Sequence, residues 1–310
     1  MKKVLVFGVS GFVGKYLVDN LVEHEYEVIG TDCLCAGSQL LKKLSLFECV
    51  DILDADAVYR LVNNHKPDYI VNLAAISSVA SSWKIPQKTI DVNLNGTLNI
   101  LEAVRQIDVD VKILLIGSSE EYAISGEQIS EEHNINANNP YGISKVAQEN
   151  FAKIYREEYG LKIVNTRTFN HTGIGQSDKF VIPSFIKQVA EIEKSGQRGV
   201  ISVGNLSARR DLGDVRDMVE AYRMILETES EHSIFNVGSG FCYLLEDLLK
   251  YIISLSNQSI NVCVDAERMR PLDNPIIWCD NSRIKKEIGW TPQYTIYETI
   301  NEMYGEYLKR

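Results

Sequence analysis

Four apolar residues in a row, Val4-Leu5-Val6-Phe7, break off at Gly8. A short unbroken run of this kind suits a strand buried on both faces, as in a parallel sheet. Past the glycines, Tyr16, Leu17, Leu21 and Val22 recur at the spacing of one helix face, and Glu27 to Asp32 reads as a second strand. The alternation continues with a strand at Tyr69 to Leu73, a helical pattern through Leu94, Leu98, Leu101 and Val104, and a strand from Val111 to Ile116. A helix covering Gln148 to Tyr159 and a strand at Lys162-Ile163-Val164 follow. Strand and helix in turn predict an α/β fold, a Rossmann-type doubly wound parallel sheet.

After about Asn170 the pattern loosens. Gly173, Gly175, Pro183, Pro271, Pro275 and Pro292 punctuate shorter strands, which predicts a smaller, mixed C-terminal substrate lobe. The boundaries expected are 1–169 for the first domain, with a return segment near 212–240, and 170–211 with 241–310 for the lobe.

Charge narrows the partners. Across 310 residues, 32 Lys+Arg face 42 Asp+Glu, a net charge of −10. Nucleic acid and anionic membranes both need a basic footprint, so neither is expected as a partner. The six cysteines are too scattered for a disulfide scaffold or a zinc spacing, so reduced thiols and no metal are expected. The apolar run after Lys2-Lys3 is too short for a signal core or a membrane span, which predicts a cytoplasmic protein.

Chemistry enters at Gly8, Gly11 and Gly14, a GxxGxxG that also holds Phe12 and Val13 between a strand and a helix. Glycines permit a tight turn and close approach to a pyrophosphate, and the helix N-terminus offers N–H donors. Asp32 ends the second strand, where a carboxylate accepts ribose hydroxyls and repels a 2′-phosphate, so NAD(H) is expected over NADP(H). Asp51-Ile52, after a third strand, would hold adenine by one hydrogen bond and one apolar contact.

Of fifteen tyrosines only Tyr141 has a lysine four residues later, Lys145, on the same helix face. An ammonium beside a phenol favours the phenolate and makes a usable proton donor and acceptor. Ser118 follows the Val111 to Ile116 strand, at the sheet edge where α/β ligands bind, and its hydroxyl can hydrogen-bond a carbonyl oxygen gaining charge.

These motifs, with Leu73-Ala74-Ala75 and Asn93 in Val92-Asn93-Leu94-Asn95-Gly96-Thr97, resemble an extended short-chain dehydrogenase/reductase over essentially the whole chain. The resemblance implies Tyr141 as acid/base, Lys145 as its pKa-lowering partner on the nicotinamide ribose, and Ser118 as the group orienting the reacting oxygen. It also implies cofactor contacts from Leu73, Ala74, Ala75 and Asn93. Arg167 to Gly173, Phe180 to Phe185, Gly204-Asn205-Leu206, Arg210 to Asp217 and Arg270-Pro271-Leu272-Asp273 are similar to the GDP-sugar branch. Within it the chain is similar to GDP-4-keto-6-deoxy-mannose reductases and nearly as similar to GDP-mannose 4,6-dehydratases. Ser119, Asn170, His171, Val181, Lys187, Asn205, Arg210 and Arg270 are the substrate residues so implied, the arginines suiting a diphosphate. Glu120 stands where the dehydratases carry the base for the C5 proton, and Ala123 where the family usually has glycine.

The expected activity is NAD(P)-dependent oxidoreduction at C4 of a GDP-linked hexose or heptose, foremost reduction of a GDP-4-keto-6-deoxy sugar. Asp32 pulls instead toward C4 oxidation with NAD, and 4,6-dehydration, epimerisation or a non-catalytic NAD-binding regulator are the other readings. A homodimer through a four-helix bundle, from residues 92–106 and 141–159, is expected.

Overall fold

The computed structural model describes residues 1–107, 109–268 and 274–309. Seven parallel strands form the main sheet: β1 (Lys3–Phe7), β2 (Glu27–Asp32), β3 (Leu46–Cys49), β4 (Tyr69–Asn72), β5 (Lys112–Ile116), β6 (Lys162–Thr168) and β7 (Ile234–Val237). Their order is β3-β2-β1-β4-β5-β6-β7, with Val6 opposite Gly30 on one side and Val71 on the other. The chain runs outward from β1 to β3 and then returns to β4. That reversal opens a crevice beyond the carboxyl ends of β1 and β4, where ligands of such sheets bind.

Alternation explains the unbroken apolar runs. Val4 and Val6 enter one core with Leu17, Leu21, Met218 and Tyr222, while Leu5 and Phe7 enter the other with Leu61, Ile100 and Val104. Both faces are covered, so every position of β1 after Lys3 carries an apolar side chain.

The lobe packs Phe185, Ile186, Leu248, Ile252, Ile300 and Met303 into a core of its own. Arg209–Asp214 pairs antiparallel with Cys242–Leu244 and parallel with Ile276–Ile277 and Asn170–Thr172, and Gly199–Val203 pairs with Ile260–Val264. This is the mixed architecture expected. One boundary is corrected: Ile284, Ile288 and Trp290, expected in the lobe, are buried in the core of the main sheet beside Leu17 and Phe235. The Ser282–Ile288 helix carries its apolar face to β7, so the end of the chain is shared between the two parts.

One local feature departs from the periodic reading. The helical pattern through Leu94 opens with a wide π turn, Asp91–Asn95, before the regular helix Gly96–Ile107. The helix expected over residues 141–159 spans Pro140–Tyr159, because Asn139 caps it and proline occupies its first turn.

Candidate active site

Gly8 has φ +78° and its missing Cβ would lie 2.7 Å from the Ala74 nitrogen, so only glycine lets β1 turn under the β4 loop. A Cβ on Gly14 would lie 2.4 Å from the Val9 carbonyl oxygen, which seats the Phe12–Glu23 helix on that turn. The Asp32 carboxylate accepts the Ser10 N–H at 3.0 Å and the Leu34 N–H at 3.3 Å, tying the end of β2 to the glycine-rich loop. Ser10 Oγ is buried there with no protein partner. A cradle closed to side chains, an unspent hydroxyl and an anchored carboxylate fit a nicotinamide dinucleotide.

At the carboxyl end of β5 the backbone is pinned residue by residue. Ile116 accepts from Lys145 Nζ at 2.7 Å, the Gly117 N–H donates to the Thr166 carbonyl at 2.7 Å, and the Ser118 N–H donates to Glu121 Oε1 at 2.6 Å. Ser118 Oγ in turn accepts the Glu120 N–H at 3.2 Å, so Ser118 and Glu121 cap each other across one 3₁₀ turn. Asn139 joins this turn to the helix bearing Tyr141: its Oδ1 accepts the Gly142 N–H and its Nδ2 donates to Glu120 Oε2, each at 2.9 Å. A Cβ on Gly142 would lie 2.3 Å from the Glu120 carbonyl oxygen, so glycine permits the contact. The Tyr141 N–H donates to Ser82 Oγ at 3.2 Å.

The Tyr141 phenol lies close enough to Ser118 for the serine to favour its ionised form. Burial drives the phenol's pKa above its ordinary value, with Ser118 opposing and the charges of Glu121 and Glu120 adding to the rise. Lys145 lies one turn further along the same helix. The ammonium is spent on the Ile116 carbonyl and on Gln148 Oε1 at 3.1 Å, and burial pushes Lys145 itself down to about 8 against the upward pull of Glu121. Burial thus favours the neutral phenol of Tyr141.

Several expected contacts move. Asn93 is fully buried, with Oδ1 on the Ile76 N–H at 2.8 Å and Nδ2 on the Ile76 carbonyl and Ser144 Oγ, so its side chain braces the site. Ile52 turns its side chain into the core against Gly96, while Asp51 is exposed and accepts the Leu53 N–H at 3.0 Å. Leu73, Ala74 and Ala75 lie half-buried beside Gly8, and Val13 packs on the core.

On the substrate side, Ser119 is buried within the same turn. Arg210 is buried on its strand, Nη1 bonded to the Arg209 carbonyl at 2.8 Å. Asn205 closes a loop onto Ser207, and Asn170 and Val181 are exposed. His171 stacks on Phe12 of the glycine-rich loop, centroids 6.3 Å apart, and burial pushes its pKa down, so the ring is neutral. Lys187 lies in an exposed ion pair, 2.7 Å from Asp178 and 4.0 Å from Glu191, while Ser184 and Gln188 are the residues its helix turns toward Arg268 and Ser202. Arg270 lies outside the described residues. Ala123 donates its N–H to the Asn134 carbonyl without a left-handed backbone, so alanine is tolerated where glycine was expected.

Asn139, Gly142, Gly117 and Glu121 had no place in the sequence reading. Asn-Pro ahead of Tyr141 is a helix-start signal and would have flagged the first two. Among the described residues no His, Cys, Asp and Glu side chains gather as a metal-binding group, and no helix is long and apolar enough to cross a membrane.

The family model described as GDP-mannose 4,6 dehydratase matches residues 5–303. A GDP-6-deoxy-D-mannose reductase of Pseudomonas aeruginosa is 28% identical over 312 residues, covering 100% of this chain and 98% of its own. GDP-mannose 4,6 dehydratase 2 of Arabidopsis thaliana is 31% identical over 329 residues, covering 99% of this chain and 87% of its own. The structure of RMD from Pseudomonas aeruginosa complexed with NADPH superposes with a TM-score of 0.86 at 27% identity, covering 100% of both chains.

Proposed function

The chain belongs to the GDP-mannose 4,6 dehydratase family, and within it we propose a reductase that converts a GDP-4-keto-6-deoxy sugar to the alcohol at C4. The observation that carries this reading is the meeting of Tyr141 and Ser118 at the carboxyl end of β5, with Lys145 one helical turn on and bonded to the Ile116 carbonyl. Reduction of a ketone needs a neutral acid at the carbonyl oxygen, and burial holds Tyr141 in that state.

Ser118 donates to the C4 oxygen as negative charge develops on it, and Tyr141 then delivers its proton there. Lys145, cationic below about 8, lies one helical turn on, and its charge favours the phenolate left behind. When bound, a nicotinamide dinucleotide supplies the hydride. Gly8, Gly11 and Gly14 would hold its pyrophosphate and Asp32 its adenosine ribose. Arg210 and Asn170 are assigned to the sugar diphosphate, making the enzyme a supplier of deoxysugar donors for polysaccharide biosynthesis.

Dehydration is the second reading, favoured by Glu120: Asn139 aims its carboxylate, and its charge reaches Tyr141. Mass spectrometry separates the two. Incubation with a GDP-4-keto-6-deoxy sugar and reduced cofactor should add two hydrogens. Loss of one water from GDP-mannose, abolished by Glu120→Gln, would replace reduction with dehydration.

We assign NAD(H) as the preferred cofactor on the strength of Asp32, although the Pseudomonas aeruginosa RMD was solved with NADPH. A homodimer is the assembly assigned. Its support is the exposed apolar row Ile143, Phe151, Ile154 and Tyr159 on the Pro140–Tyr159 helix. A monomer mass by light scattering at micromolar concentration would refute it.

A further inference from the structure

Glu121 is 1% exposed, yet its carboxyl makes one hydrogen bond, to the Ser118 N–H, and Oε2 is buried with no partner. Leaving a buried carboxyl oxygen unmatched is costly, so the side chain is held there by its surroundings. Gly117 makes the room: a Cβ there would lie 2.5 Å from Glu121 Oε1 and 2.3 Å from the Thr166 carbonyl oxygen. Lys145 grips Ile116 and Glu121 grips Ser118, so the two charged side chains bracket one glycine at the end of β5.

The charged groups around this carboxyl come from every neighbouring element. From the Pro140–Tyr159 helix come Lys145, Tyr141 and Glu149, from β6 comes Arg167, and Glu120 precedes it on its own turn. Glu149 is already matched, since Arg167 donates to its two oxygens at 2.9 and 2.6 Å. Lys145 has no such carboxylate: its bonds are to a carbonyl and an amide, and Glu121 is the acid whose charge acts on it.

We infer that Glu121 is a positioning residue for the acid/base pair, fixing the Ser118 backbone with one oxygen and serving as the counter-charge of Lys145. This rests on the roles given to Ser118, Tyr141 and Lys145 above. Burial pushes Glu121 up and Lys145 down, while the charge of each favours the charged form of the other.

Two variants separate the roles. Glu121→Gln keeps an oxygen for the Ser118 N–H and removes the charge. Glu121→Asp keeps the charge and withdraws it from Ser118. Lysine reactivity is measured by competitive acetylation against pH, read by mass spectrometry on the protein without substrate, so the result stands whatever the reaction proves to be. In Glu121→Gln the Lys145 profile should move down by about one unit or more, since an opposite charge is lost. Glu121→Asp should leave that profile near its original place while kcat falls about tenfold with KM little changed. A Lys145 profile in Glu121→Gln superimposable on that of the unaltered protein would overturn the inference. Should that variant not fold, an unchanged kcat in Glu121→Asp would do so.

Discussion

The two ends of the cofactor groove are built on different principles. At the chemical end, Ser118 is 6% exposed and Lys145 3%, and the backbone from Ile116 to Ser118 is tied at each residue. At the ribose end, Asp32 is half-buried and the chain beyond it surfaces at once, with Leu34 69% exposed. Low dielectric at the first end moves protonation states, raising Tyr141 and lowering Lys145. Asp32 works in a wetter place, through its charge and two backbone anchors. Reactivity has been buried and recognition left near water. Substitutions at the two ends should therefore differ in kind.

The largest effect belongs to the phenol. Tyr141→Phe keeps the packed ring and removes the acid, so kcat should fall by at least about 10²-fold while cofactor affinity, measured by calorimetry, stays close to normal. A matched pair of glycines comes next. Gly142→Ala places a Cβ 2.3 Å from backbone at Glu120, whereas Gly37→Ala, beside the ribose end, meets nothing within 4 Å. The first should cost about 1–3 kcal/mol of stability in denaturant unfolding, and the second almost none. Equal costs would erase the contrast between the ends.

The pH profile sharpens it further. Lys145 is pushed down to about 8, so it is cationic below that pH and neutral above. If its charge is needed, kcat/KM of the free enzyme should decline above about pH 8, by roughly tenfold per unit. Asp32→Ala should give the smallest change in turnover. It should relax the preference between NADH and NADPH by about tenfold in kcat/KM, because the carboxylate both binds the ribose and repels a 2′-phosphate. Tighter binding of NADPH than NADH by the unaltered protein would remove the basis for that assignment.

Much of the main sheet was legible in the sequence because β1, β2 and β4 to β6 each carry two or more adjacent apolar residues between helical patterns. Strand β7 was not, since Ile234 to Val237 contains the buried Asn236, whose amide serves Tyr122 and Ile129. The Ser282–Ile288 helix was misassigned because periodicity reveals an apolar face but not which core it enters. Ser118, Tyr141 and Lys145 stood out as residue types at a telling spacing. Glu121 did not, because a buried glutamate and a solvated one are written the same way. The bracing role of Asn93 was hidden for the related reason that an amide suits either a ligand or a brace, and its three bonds to Ile76 and Ser144 are visible only in the fold.

The central claim is that a protonated Tyr141 at a buried edge serves direct reduction at C4. Deuterium placed on the transferable position of the reduced cofactor tests it most directly, with a GDP-4-keto-6-deoxy sugar as substrate. Nuclear magnetic resonance of the product should find that deuterium at C4, with one equivalent of cofactor oxidised. Formation of a 4-keto-6-deoxy product from GDP-mannose, with no net oxidation of cofactor and the substrate's own C4 hydrogen recovered at C6, would contradict it.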